Sequence, residues 1–132
     1  MEQQRFTFKK NERLCSRTTI QELFDKGKSF VKYPFRISYM TVDSNEQSDA
    51  QILISVSKKR FKRAYKRNRL KRLSREAYRL NKAPLITALQ EKNVKLAVAF
   101  IYLPGEMLEY TAVEKGMKKA LNKLIKELGD ER

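Results

Sequence analysis

The sequence predicts a single small α+β domain on three observations. Apolar residues recur at helical spacing in three segments, they alternate with polar residues in two more, and one continuous apolar run, residues 96–103, has the length and composition of a buried strand. At 132 residues and 41% hydrophobic content, folding buries roughly two-thirds of the surface that the unfolded chain exposes, enough to form a core. Residues 1–132 are therefore read as one domain.

Along residues 18–26, Ile20, Leu23 and Phe24 share a helical face, Thr19 with Glu22 forms a capping box, and Gly27 ends the helix. An extended stretch follows, interrupted by Pro34, with residues 28–32 as an additional edge strand. Phe35, Ile37 and Tyr39 then alternate with Arg36, Ser38 and Met40, so that one face is apolar and Tyr39 belongs to the core. After the polar, turn-rich residues 43–50, Ile52, Ile54 and Val56 alternate with Leu53, Ser55 and Ser57, which suggests an antiparallel pair with the strand before. Beyond Lys66, Leu70, Leu73, Ala77 and Leu80 draw an apolar helical stripe. Asn68, Lys71, Arg72, Arg75 and Arg79 lie opposite it, with Arg67 and Arg69 on its flanks.

Pro84 opens a short helix to about Glu91, and residues 96–103 form the central strand. A helix separates this strand from residues 52–56, so the two are expected to be parallel, with a right-handed crossover by the general rule. Pro104-Gly105 marks a turn. Thr111 with Glu114 makes a second capping box, and Val113, Met117, Ala120, Leu121, Leu124 and Leu128 face the core from a closing helix that stops at Gly129.

The charge is local. Residues 58–82 hold thirteen cations against the single anion Glu76, a net +12 out of +15 for the whole chain. Such a field repels itself unless a polyanion neutralises it, and the acidic neighbours that would stabilise a merely solvated helix face are nearly missing. There is no histidine to serve as general base, and the single Cys15 forms neither an internal disulfide nor a cysteine zinc site. Residues 1–5 carry no apolar segment of the kind a secretory signal needs, and no run approaches the ~20 residues of a membrane span, so a soluble cytoplasmic protein is expected.

The stretch Ser55-Val56-Ser57-Lys58-Lys59, followed by Arg63-Ala64-Tyr65-Lys66-Arg67-Asn68-Arg69-Leu70-Lys71-Arg72-Leu73, resembles the signature of the bacterial ribonuclease P protein component. The likeness centres on Arg67-Asn68-Arg69 and Lys71-Arg72-Leu73; outside them it thins, while the order of elements persists along nearly the whole chain. The resemblance implies a four-stranded sheet packed with helices in the order α-β-β-β-α-β-α, with the crossover that carries the arginine-rich helix left-handed, against the general rule. It implies a subunit that binds the ribonuclease P catalytic RNA and the 5′ leader of precursor tRNA and promotes 5′-end maturation. Divalent ions on the RNA, Mg²⁺ expected among them, would perform the cleavage. The chain would then hold no catalytic residue and no metal ligand, and neither DNA nor a membrane is an expected partner.

Guanidinium groups pair with phosphate through two donors at once, so Arg63, Arg67, Arg69, Arg72 and Arg75 are candidate RNA contacts, extended by Lys58, Lys59 and Lys71. Asn68 both donates and accepts, so it suits either a phosphate or base edge or a local backbone contact. In the family the polar side of the sheet and the first helix form a cleft for the single-stranded leader, which implies Ile20, Phe24, Arg36, Ser38, Ser55 and Ser57 as its lining. Ile20 stands where an aromatic is common and Ser38 where a tyrosine often lies, and Phe24 fits either the core or the cleft. A ribosomal-type RNA-binding protein shares the size, charge and class. A stand-alone nuclease would cut without an added RNA, and the narrow Leu70 to Leu80 stripe lacks the bulk of a membrane-surface helix.

Overall fold

The computed structural model describes residues 12–42 and 48–130. Residues 1–5, considered above for a secretory signal, and residues 43–47 of the polar turn lie outside the described residues. Helix α1 (Arg17–Lys26) leads into strands β1 (Lys28–Lys32), β2 (Phe35–Val42) and β3 (Ala50–Val56). Helices α2 (Ala64–Asn81) and α3 (Ala83–Lys92) precede β4 (Lys95–Tyr102), and α4 (Tyr110–Asp130) follows. The edge strand at residues 28–32 and the short helix opened by Pro84 are both present.

The sheet order is β1-β2-β4-β3, with β4 antiparallel to β2 and parallel to β3. β2 and β3 are thus not neighbours, which corrects the antiparallel pair expected from the sequence. The reason lies in β4: Leu96, Ala97, Val98, Ala99 and Phe100 are buried on both faces, and such a strand is satisfied only at the centre of a covered sheet.

Two unequal layers cover that sheet. Phe35, Ile37, Ile52, Ile54, Val98 and Phe100 on one face pack against Leu70, Tyr78, Leu85, Leu89, Met117 and Leu124 of the three later helices. On the other face α1 places Leu23 with Leu14 over the small Ala97 and Ala99. Tyr39 is core, as expected, and its hydroxyl donates to Glu127 Oε1 of α4 at 3.1 Å.

Local signals were displaced by a residue or a turn in three places. α1 is capped by Ser16, whose Oγ accepts from the Thr19 amide at 3.2 Å, so the Thr19–Glu22 box lies inside the helix. α4 starts from Glu109, whose carbonyl accepts from Ala112 and Val113, so Thr111 is not its cap. Glu114 instead accepts from Asn81 Nδ2 of α2 at 3.1 Å. The buried face of α2 is Leu70, Ser74, Ala77 and Tyr78, with Leu80 39% exposed. Ser74 tolerates burial because its Oγ donates to the Leu70 carbonyl at 2.8 Å. Gly116 of α4 is required by a close approach, since a Cβ there would collide with the Tyr33 carbonyl oxygen and Pro34 Cδ.

Burial pushes the hydroxyl pKa of Tyr78 well above its ordinary value. It raises that of Tyr102 to about 12, partly opposed by the hydrogen bond from the Leu108 amide. Both hydroxyls stay protonated in the fold at a pH where the unfolded chain, with tyrosine pKa of about 10, gives its protons up. The unfolded state therefore binds fewer protons from about pH 10 upward, and stability falls with rising pH in that window. Tyr102→Phe is expected to make the fall between pH 10 and 12 shallower in chemical denaturation, and a fall as steep as that of the unaltered chain would contradict this.

Candidate nucleic-acid interface

The basic segment is held by the fold before it is offered to solvent. After β3, the Ser57 Oγ accepts from the Lys59 amide and the Ser57 carbonyl from the Phe61 amide, each at 3.1 Å. Phe61, 5% exposed, tucks against Tyr102 with ring centroids 6.0 Å apart. Arg60 Nη1 donates to the Leu103 carbonyl. Arg67 reaches back so that its Nη1 donates to the carbonyls of Phe61 at 2.7 Å and Lys62 at 3.0 Å. Of the Arg67-Asn68-Arg69 triplet, the first arginine thus fastens the loop that enters α2.

From this base α2 presents one exposed face. Asn68, Arg69 and Arg72 stand on it, with Lys71 and Arg75 partly buried at its borders and Lys58, Lys59 and Arg63 exposed on the loop before it. Tyr65, 62% exposed, joins them at i, i+3, i+4 and i+7 spacing. Sequence reasoning missed Tyr65 because the apolar stripe begins beyond Lys66, although helical steps forward from Tyr65 lead to Asn68, Arg69 and Arg72.

The electrostatics separate the cations further. Arg79 engages Glu76 through two donors, Nε to Oε1 at 3.1 Å and Nη2 to Oε2 at 2.5 Å. That contact holds the Glu76 carboxyl below the usual carboxylate range and takes up the one anion of the segment. Among the described residues, no carboxylate forms an ion pair with Lys58, Lys59, Arg63, Arg69, Lys71, Arg72 or Arg75. Burial, and after it the like charge of Arg13, lowers the Arg75 pKa. The arrangement concentrates unneutralised charge on a rigid support, which suits a polyanion.

The expected cleft lining is divided by α1. Ser38 is only 6% exposed, whereas Ile20 is partly exposed and packs with one side on the Leu14, Leu23, Ala97 and Ala99 cluster. Ile20 helps to seat the small helix on the sheet. Ser57 is spent on the turn at Lys59. Phe24 is 50% exposed, which settles it outside the core. Across the four strands, Val31, Arg36, Ile101 and Ser55 form one row by register, with Arg36 exposed, Ser55 and Ile101 partly so, and Val31 59% exposed. Val31 was not singled out from the sequence, although alternation along residues 28–32 places it on this face.

Comparison with known proteins adds a family. Residues 8–125 match the model of the family described as Ribonuclease P. The ribonuclease P protein component of Porphyromonas gingivalis is 45% identical over 116 residues, covering 88% of this chain and 85% of that protein. That of Chlorobium phaeobacteroides is 36% identical over 107 residues, 75% and 73% of the two chains. Among solved structures, the RNase P protein of Staphylococcus aureus matches with a TM-score of 0.69 at 21% identity, covering 86% of this chain and 94% of that one. The RNase P protein of Thermotoga maritima matches at 0.65 and 24% identity, covering 85% and 96%.

Proposed function

The chain belongs to the ribonuclease P protein component family, and from that membership we propose that it binds the ribonuclease P catalytic RNA and the 5′ leader of precursor tRNA, promoting maturation of the tRNA 5′ end. The observation that carries this reading is the set of cations on α2 and its entry loop that have no carboxylate partner and a fixed base beneath them. Arg69 and Arg72 clamp phosphates of the folded RNA, Asn68 supplies a donor and an acceptor between them, and Tyr65 stacks on an unpaired base or sugar. Lys58, Lys59, Arg63, Lys71 and Arg75 widen the same field. Arg67 contributes by keeping the loop in place.

The chemistry of cleavage belongs to the RNA and to divalent ions held there; this chain supplies affinity and position. The leader runs over the row formed by Val31, Arg36, Ile101 and Ser55 and past Phe24, which offers a stacking surface indifferent to sequence. Reconstitution tests the whole reading. The purified chain, the cognate RNA and a precursor tRNA at physiological salt are expected to yield correct 5′ ends faster than the RNA alone, and an unaltered rate would contradict the role.

Phe24→Ala has a sharper readout, because an exposed side chain leaves the fold intact. Loss of one stacked base, worth about 1–3 kcal/mol, is expected to weaken binding of long-leader substrates while sparing those with a one-nucleotide leader. Equal losses for both would place Phe24 outside the leader path.

A further inference from the structure

Helix α4 carries a second cationic face, outside the basic segment. Lys115, Lys118, Lys119 and Lys126 are exposed, with the exposed Asn122 among them. At about 3.6 residues per turn these positions fall within an arc of roughly 100° and run about 16 Å along the helix. They stand opposite Val113, Met117, Leu121, Leu124 and Leu128, which face the core.

Glu114 and Glu127 of the same helix are turned away from this face. Glu114 stands four residues before Lys118, the spacing of a helical ion pair, yet its Oε2 accepts from Asn81 Nδ2 of α2 at 3.1 Å and from the Tyr110 hydroxyl at 3.3 Å. Glu127 accepts from the Tyr39 hydroxyl and pairs with Lys123 at 2.9 Å, on the flank. Among the described residues, no carboxylate forms an ion pair with Lys115, Lys118, Lys119 or Lys126. Lys115 moreover lies three and four residues from Lys118 and Lys119, the spacing at which like charges destabilise a helix. A polyanion laid along the face removes that repulsion.

The chemistry of the face selects its partner. It holds no arginine, aromatic or large apolar side chain, the groups that anchor a protein interface or hold a helix in the surface of a bilayer. Ammonium groups on flexible stems act as point charges and follow a phosphate backbone without reading its sequence. The face also lies away from the leader: by alternation Arg36, Ile101 and Ser55 share the side of the sheet that α1 covers, whereas α4 packs with α2 on the opposite side. We propose that the lysine face of α4 binds the backbone of a second helical segment of the same RNA that α2 grips, an inference that rests on the function proposed above.

The test compares two variants of the full chain with equal change in charge, Lys115→Gln with Lys119→Gln on this face and Lys26→Gln with Lys92→Gln at exposed positions elsewhere. Glutamine has a helix propensity close to that of lysine, so thermal unfolding is expected to hold in both. The α4 pair is expected to weaken binding of the ribonuclease P RNA about tenfold at physiological salt and to lower the slope of log affinity against log salt by roughly 1.4–1.8, as two lost phosphate contacts require. The other pair is expected to change affinity by less than about twofold, because scattered surface charges are screened. Hydroxyl-radical footprinting of the RNA then locates the segment: the nucleotides uncovered by the α4 pair are expected to differ from those uncovered by Arg69→Ala with Arg72→Ala. Equal losses from the two lysine pairs, or uncovering of the same nucleotides, overturn the second interface. If Arg69→Ala with Arg72→Ala still weakens the complex in that event, the α4 face alone has failed; if the unaltered chain shows no preference for the ribonuclease P RNA over a ribosomal RNA fragment, the functional reading has failed instead.

Discussion

Changing Arg69 and Arg72 together to alanine is expected to weaken binding of the ribonuclease P RNA at least tenfold at physiological salt while leaving thermal unfolding unchanged. Both side chains are exposed and have no carboxylate partner among the described residues, so nothing in the fold depends on them. Charge-assisted hydrogen bonds contribute about 1.5–3 kcal/mol each where water is excluded, so the loss of even one phosphate contact reaches that factor. Two lost contacts also lower the slope of log affinity against log salt by roughly 1.4–1.8. A weaker complex with an unchanged slope would mean that the two arginines touch something other than phosphate. Arg67→Ala is a poorer test, because it frees the carbonyls of Phe61 and Lys62 and loosens the loop as well.

Lys82→Ala carries the largest expected effect on stability. The Lys82 ammonium lies 2.5 Å from Glu12 Oε2, with side-chain exposures of 5% and 11%, and 5.9 Å from the centre of the Tyr78 ring. Removing the lysine takes away the cation 2.5 Å from a buried carboxylate, and breaking a buried pair of this kind costs about 3–5 kcal/mol. Pairing Lys82→Met with Glu12→Leu replaces both charges by apolar groups and is expected to restore most of that loss in denaturant unfolding. A single variant within about 1 kcal/mol of the unaltered chain would show that the pair is more hydrated than its burial implies. Glu12 adjoins the short bridge between Arg13 and Ile52, where the Leu14 amide donates to the Ile52 carbonyl at 2.9 Å.

Periodicity was a good guide wherever one face of an element meets the core. It placed α1, the alternation of β2 and β3, the edge strand β1 and the apolar face of α4. Strand adjacency was not legible in the same way, because alternation says which face is buried and nothing about which strand lies beside it. The continuous run in β4 contained the missing information, since a strand apolar on both faces belongs between others. Leucine spacing draws the α2 stripe through Leu80, whereas the buried row runs through Ser74 to Tyr78, and a serine interrupts the apolar pattern that would reveal it. In the fold Ser74 bonds to its own helix, and Tyr78 packs against Phe100 with centroids 6.3 Å apart.

The candidate site was legible in its charge and obscure in its division of labour. Spacing alone makes Arg67 and Arg69 look equivalent, yet one turns back to the loop and the other faces solvent. Alternation puts Ser38 on the polar face, yet it is 6% exposed beside Ala99, on which the cluster of α1 sits. Lys82 read as one more cation of the basic segment, and its partner sits seventy residues away. Long-range pairing of this kind leaves no local trace.

On the proposed function, α2 recognises a particular folded RNA and does more than attract negative charge. The most direct measurement compares, at stepwise increasing salt, the affinity of the chain for the ribonuclease P RNA with its affinity for a ribosomal RNA fragment of equal length. A preference of at least tenfold for the ribonuclease P RNA that survives the salt increase is the predicted result. Equal affinities at every salt concentration would contradict it.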